Sequence, residues 1–285
     1  MRDAVAVYET GSEPWLLGSG GDGPGEFRVV DRLVAGQGCL HVFSNGRETV
    51  FDDHLEVSEI RHIPAVDVMQ AALVENASVI LHFGLTRRGV GFRLLRIDTT
   101  TDSLLAEFAL PIEAKNYLGF ARIVGPSANG GFWIAANNRY VFEKRSSFGD
   151  SVRTLDLSRG WFPSTSVEPE RVINPYTSPP PPVLVALRED QSNRLWVASH
   201  HPAEAPDTTV SEADRAERSM VQYPKVVDTI VEVLDSETGR SLGRHRMAGM
   251  VIAFLGEDLV AVRDVGPYDI TVIRIEQLHL EEGDK

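Results

Sequence analysis

The chain of 285 residues contains one cysteine, Cys39, which excludes an intramolecular disulfide and any multi-cysteine zinc or iron–sulfur cage. It has no apolar run near the ~20 residues that a membrane helix needs. Basic residues are scarce, 28 against 41 acids, and the formal net charge is −13. A surface of that sign lacks the footprint that phosphate backbones select, so nucleic acid is not an expected partner. Neither a His-Glu-x-x-His pair nor a Gly-x-Ser-x-Gly elbow occurs. The start, Met1 to Tyr8, carries no secretory signal, because one base is followed at once by an acid with no apolar stretch.

What is present reads as an ordinary globular chain, 42% hydrophobic and 24% charged. Short β-branched or alternating runs, bounded by Gly, Pro, Asn and Asp, read as strands. One stretch reads as a helix, Ser211 to about Gln222, where Ser211 can cap and Asp214 sits three residues on. Cys39 lies in the strand-like run Gly38 to Phe43 and reads as a buried, inert thiol.

Two signatures recur. The first is a strand ending in an acid: Val7-Tyr8-Glu9, Val50-Phe51-Asp52, Arg96-Ile97-Asp98, Val141-Phe142-Glu143, Val233-Leu234-Asp235 and Arg274-Ile275-Glu276, at spacings of 43, 46, 45, 92 and 41 residues. The second is an apolar strand just before it, which carries a tryptophan in Phe132-Trp133-Ile134 and again in Leu195-Trp196-Val197. Intervals of about 40–50 residues suit a four-stranded propeller blade. The first complete unit is predicted as Val29–Ala35, Cys39–Phe43, Glu48–Asp52 and Glu56–Ile63.

The expectation is an all-β fold, a six-bladed β-propeller of four-stranded antiparallel blades with some blades incomplete. A single domain over 1–285 divides into units at about 1–27 (partial), 28–64, 65–111, 112–160, 183–248 and 249–280 (partial). The 92-residue interval is read as two insertions. One, at 161–182, ends in four prolines as an exposed connector, and the other, at 201–225, is a loop holding the helix. Acids that close third strands are expected to accept hydrogen bonds from the following turn, as Asp235 would in Asp235-Ser236-Glu237-Thr238-Gly239.

The segment Gly18-Ser19-Gly20-Gly21-Asp22-Gly23-Pro24-Gly25-Glu26-Phe27 resembles the Gly-Pro-Gly-Glu-Phe connector of bacterial six-bladed propellers of the NHL-repeat and TolB-like kind. The resemblance implies the fold far more than an activity. The same glycines could suggest a phosphate loop, but no Gly-Lys-Ser/Thr ending or helical pattern follows, and Asp22 alone cannot make a calcium loop.

Twenty-one strands are predicted where six closed blades need twenty-four. Either the ring closes with irregular blades, or Met1 is an internal methionine of a longer protein. The first reading places the chain in the cytoplasm, the second in the periplasm or outside the cell.

Candidate ligand-binding residues follow from position, at the ends of predicted second strands: Asn45, His82, Asn137, Asn138, His200, His201 and Asp264. The expected function is a non-enzymatic recognition or scaffold module for a protein, peptide or saccharide-like ligand, with no cofactor. The alternative is a lactonase-like hydrolase holding a divalent metal such as Ca2+ on some of Asn137, His200 and Asp264.

Overall fold

The computed structural model describes residues 5–7, 13, 15–36, 38–65, 67–75, 77–87, 89–109, 122–162, 181–204, 227–255, 258–265 and 271–280. The predicted helix from Ser211 lies outside them, as does most of the proline-rich connector.

Every regular element among the described residues is a strand, and apart from one short parallel pair the sheets are antiparallel meanders in which consecutive strands are neighbours. After a short pair, β1 (Val5–Val7) and β2 (Trp15–Leu17), come β3 (Ser19–Gly20) and β4 (Glu26–Phe27), which pair in parallel within the Gly-rich segment. The first four-stranded sheet is β5 (Arg32–Gly36), β6 (Cys39–Ser44), β7 (Arg47–Phe51) and β8 (Val57–His62). The second is β9 (Val68–Val74), β10 (Ala77–Thr86), β11 (Gly89–Asp98) and β12 (Asp102–Ala109). The third is β13 (Arg122–Pro126), β14 (Phe132–Ala136), β15 (Val141–Arg145) and β16 (Ser151–Asp156). The fourth is β17 (Val183–Glu189), β18 (Arg194–Pro202), β19 (Val227–Asp235) and β20 (Ser241–Ala248). The last has three strands: β21 (Met250–Phe254), β22 (Leu259–Val265) and β23 (Thr271–Gln277).

These are propeller blades, and the described residues form five of them, four complete and one with three strands. The expected six is corrected to five. The N-terminal segment counted as a partial blade makes only the two short pairs among the described residues. The predicted strands of the first complete blade match the observed ones within a few residues. The step from β18 to β19 falls where the helix-bearing insertion was expected, so the 92-residue interval contains one described blade.

Contacts divide the chain into two compact units, 1–110 with 147–149, and 111–146 with 150–285. In the first unit, Phe43, Ile80, Leu95 and Ile97 pack with Val68 and Ala71 in one core. In the second, strand alternation sends the two faces of β18 into different cores. Leu195 and Val197 pack with Trp133, Ala135 and Phe142 of the preceding blade. Trp196 and Ala198 pack with Val251, Val260 and Val262 of the following one. A strand buried on both faces must be apolar throughout, which is why Leu195-Trp196-Val197-Ala198 shows no polar alternation.

Local chemistry sets the turns. Ser44 pairs with Arg47, leaving Asn45-Gly46 as a two-residue hairpin loop with φ of 43° and 79°. That left-handed pair matches the twist of the flanking strands, and Asn-Gly tolerates it best. Gly125 answers a different need: a Cβ there would lie 2.0 Å from the Leu187 carbonyl oxygen, so β13 and β17 could not approach as they do. Asp52, Asp98 and Asp235 each accept backbone N–H bonds from the turn that follows, as expected for strand-closing acids. Glu143 and Glu276 instead lie within their strands and pair with Arg145 and Arg274.

Candidate functional site

Sequence position had placed the candidate residues at the ends of second strands. Of the two in the first unit, only Asn45 is there, exposed in its turn, where its N–H donates to Asp31 Oδ2 at 3.0 Å. His82 lies inside the ten-residue β10 and is buried. Burial lowers its pKa, as does Arg93 nearby, while a contact of its Nδ1 with the Phe83 carbonyl opposes the shift.

In the second unit, Asn137 and Asn138 occupy the turn after β14 and are buried, and the Asn137 carbonyl accepts the Leu184 N–H at 2.7 Å. His200 and His201 are not at a strand end, because β18 runs on to Pro202. Adjacent strand residues face opposite ways. His200 Nε2 donates to the Val251 carbonyl at 2.9 Å, toward the last blade. His201 packs tilted against Trp161 and edge-on to Phe162, with its Nε2 3.0 Å from Ser199 Oγ. Burial holds both imidazoles down to about 4, and the Arg246 guanidinium adds to the effect on His201. Asp264 lies within β22 rather than at its end and pairs with Arg274 at 3.1 Å. The two histidines therefore diverge. Among the described residues no group of three His, Cys, Asp or Glu side chains is arranged to hold a metal ion.

What sequence reading missed is a set of buried carboxylates that clip neighbouring blades together. In the first unit Glu48 is fully buried and accepts from His41 Nδ1 (2.8 Å), Arg61 (3.3 Å) and Ser78 of the next blade. In the second, Glu189 receives Ser127, Trp133 Nε1 (3.2 Å) and Lys144 Nζ (2.8 Å). Burial alone would raise its pKa, but the bonds from Lys144, Ser127 and Ser236 outweigh it and hold the group below the usual carboxylate range. Its neighbour Asp190 accepts Trp196 Nε1 (2.9 Å) and Arg194 Nε (2.7 Å), which outweigh burial in the same way. The two tryptophans at matching blade positions thus donate to successive residues, Glu189 and Asp190. A cation lies over each ring, Lys144 over Trp133 and Arg194 over Trp196, both 5.8 Å from the centroid. Glu232 binds the Tyr140 hydroxyl at 2.6 Å, and burial together with that carboxylate keeps the phenol protonated far above its ordinary range. The available signal was an acid inside an otherwise apolar strand, as in Val231-Glu232-Val233.

Two features of the second unit stand out among the described residues. β23 is the outer strand of its sheet among the described residues, and Ile273 and Ile275 are 49% and 56% exposed. The third strands β7 and β19 of complete blades are, by contrast, largely buried and paired on their outer side by a fourth strand. Beside the end of β23 lies a half-open cleft of about 510 Å³, floored by Trp196, Val231, Val233 and Leu242 and walled by Leu278 and Leu280.

No described helix is long and apolar enough to cross a membrane. No protein-family model and no curated protein matches the chain. Among solved structures, it is similar to a putative exported protein from Bacteroides fragilis (8% identity, TM-score 0.47), covering 87% of this chain and 70% of that one. It is also similar to BamB from Moraxella catarrhalis (12% identity, TM-score 0.43), covering 89% and 75%. The Pan2 WD40 domain of Neurospora crassa is a third (8% identity, TM-score 0.42), covering 83% of this chain and 59% of that one.

Proposed function

We propose that the chain is a non-enzymatic propeller recognition module that takes an extended peptide as the fourth strand of the β21–β22–β23 sheet. The observation that carries the reading is β23, the outer strand of its sheet among the described residues, with Ile273 and Ile275 exposed where the third strands β7 and β19 of complete blades are largely buried. An open edge offers unpaired backbone groups for hydrogen bonding, and its alternate side chains select the partner. The candidate polar residues favour this over the hydrolase reading. His200 and His201 point to different blades, and the buried carboxylates are occupied by partners that hold the blades in register.

The test uses a synthetic peptide with the sequence of β12, residues 102–109, the fourth strand of a complete blade. Chemical-shift changes confined to β22 and β23, and lost when alternate peptide N–H groups are methylated, are expected. Equal binding of the methylated peptide overturns strand addition. A stoichiometric rise in Tm with Ca2+ or Zn2+, accompanied by lactone hydrolysis, would replace it with the metal-dependent reading.

A further inference from the structure

We infer that the cleft between β20 and residues 277–280 binds an apolar group that carries a carboxylate. The inference rests on the recognition-module reading but not on strand addition. At about 510 Å³ the cleft falls within the 300–1,000 Å³ typical of small-ligand sites.

Its shape follows from the blade. In the β18–β19–β20 register Trp196 lies opposite Val233, Val233 opposite Gly243, and Val231 opposite His245, so these residues share one face. The neighbouring wall is Leu278 and Leu280. A Cβ on Gly243 would stand 2.7 Å from Leu280 Cδ1, so glycine lets that wall close against β20. The floor is therefore a hydrocarbon surface with an indole at its base.

The polar groups sit at the rim. His245 and His279 are exposed there, and Gln277 is oriented by donating its amide N–H to Asp258 Oδ2 at 2.6 Å. Arg244 also lines the cleft, but its guanidinium is engaged over the Trp161 ring, 5.2 Å from the centroid. The two imidazoles are thus the groups offered to a ligand head. Among the described residues no Asp or Glu lines the cleft, although the chain has 41 acids and a net charge of −13. The Asp258 carboxylate beside Gln277 already accepts that side chain's amide N–H, so it is not an unengaged counter-charge for an ammonium head. A carboxylate would accept an N–H from each imidazole, and such charge-assisted bonds are stronger than those to a neutral head.

The same chemistry could come from a free medium-chain acid or from the C-terminal residue of a peptide. The probes are octanoate, octylamine and 1-octanol, and acetyl-Ala-Ala-Leu as free acid and as amide, titrated calorimetrically into the full chain. Octanoate, the free-acid peptide or both should bind at least about tenfold more tightly than octylamine and the amide, a difference of ~1.4 kcal/mol. Binding of octanoate alone identifies a free acid, and binding of the peptide acid alone identifies a chain terminus. The exposed double variant H245Q/H279Q should lose that preference while leaving octanol binding unchanged, and V233W should abolish binding by filling the floor.

Octylamine or the amide binding as tightly as the acids, or octanoate binding indifferent to H245Q/H279Q, overturns the inference. If the β12 peptide fails at β23 while octanoate binds here, strand addition falls and this inference stands. If acid and amide peptides bind the cleft equally, recognition stands and the carboxylate assignment falls.

Discussion

Lowering the pH to about 5 should weaken the second unit through His200, before its carboxylates titrate. The His200 imidazole is 6% exposed, and its Nε2–H is bound to the Val251 carbonyl. Burial holds its folded pKa to about 4. In the unfolded chain the same group takes its ordinary value of about 6.5. The unfolded state therefore takes up the proton first as pH falls. Stability from this residue is complete above about 6.5 and declines toward about 4, below which no more is lost. Integrated from pH about 7.5 to 5, the loss is ~2 kcal/mol, rising to ~3 kcal/mol once both states are protonated.

His201, also lowered to about 4, adds in the same direction. The lowered carboxylates Glu189 and Asp190 lose their contribution only as pH falls through their own, lower range. The window between about 6.5 and 5 therefore isolates the histidines. H200Q keeps an N–H for the Val251 carbonyl and removes the titration. Urea unfolding followed by Trp133, Trp161 and Trp196, all in this unit, should show wild type losing ~2 kcal/mol more than H200Q between pH about 7.5 and 5. Parallel losses in the two proteins would refute the buried-neutral assignment of His200.

Removing the Glu189 charge as E189Q leaves Lys144 without its buried partner and should cost ~3 kcal/mol in chemical unfolding, against less than ~1 kcal/mol for the exposed pair partner D22N. W196F removes the N–H donated to Asp190 and should cost ~1–3 kcal/mol, chiefly because the buried carboxylate loses a donor. D98A removes the oxygen that accepts the Thr100 and Thr101 N–H groups and should lower the Tm in thermal unfolding. G125A should be the most damaging small substitution, well beyond the ~1 kcal/mol usual for surface changes, because its Cβ meets backbone 2.0 Å away at Leu187 and no rotamer relieves that.

Blade periodicity was legible in the sequence because a propeller repeats one local grammar. Val50-Phe51-Asp52 and Val233-Leu234-Asp235 end strands whose acids accept turn N–H groups, so each announces a boundary by its own chemistry. The blade count was not legible, since Val7-Tyr8-Glu9 and Arg274-Ile275-Glu276 carry the same signature whether or not four strands assemble around them. The candidate site was less legible still. His200-His201 stood out as a pair, yet the pleat sends them apart, and β18 extends past both because His200, His201 and Pro202 stay in register with Thr229, Asp228 and Val227. Glu48, Glu189 and Glu232 went unread because each is partnered from distant sequence, 30 residues away at Ser78, 45 at Lys144 and 92 at Tyr140. The cleft depends on a glycine and a leucine 37 residues apart meeting across two elements, which no local pattern encodes.

As the outer strand of its sheet among the described residues, β23 must also avoid pairing with copies of itself. Its sequence, Thr271-Val272-Ile273-Arg274-Ile275-Glu276-Gln277, has the β-branched content of an aggregation-prone segment, interrupted by two charges on alternate positions. Arg274 pairs with Asp264 and Glu276, so the charges are held along the strand. Ionised groups on an edge disfavour burial between two sheets, while a peptide with complementary alternation can still satisfy the backbone. Replacing both in R274V/E276V would create the unbroken run Val-Ile-Val-Ile-Val without touching a buried contact. Light scattering at rising concentration should then show the variant assembling under conditions where wild type does not, with blade unfolding unchanged. A variant as monodisperse as wild type would mean that β23 is not an accessible edge, and the strand-addition reading would lose its footing with it.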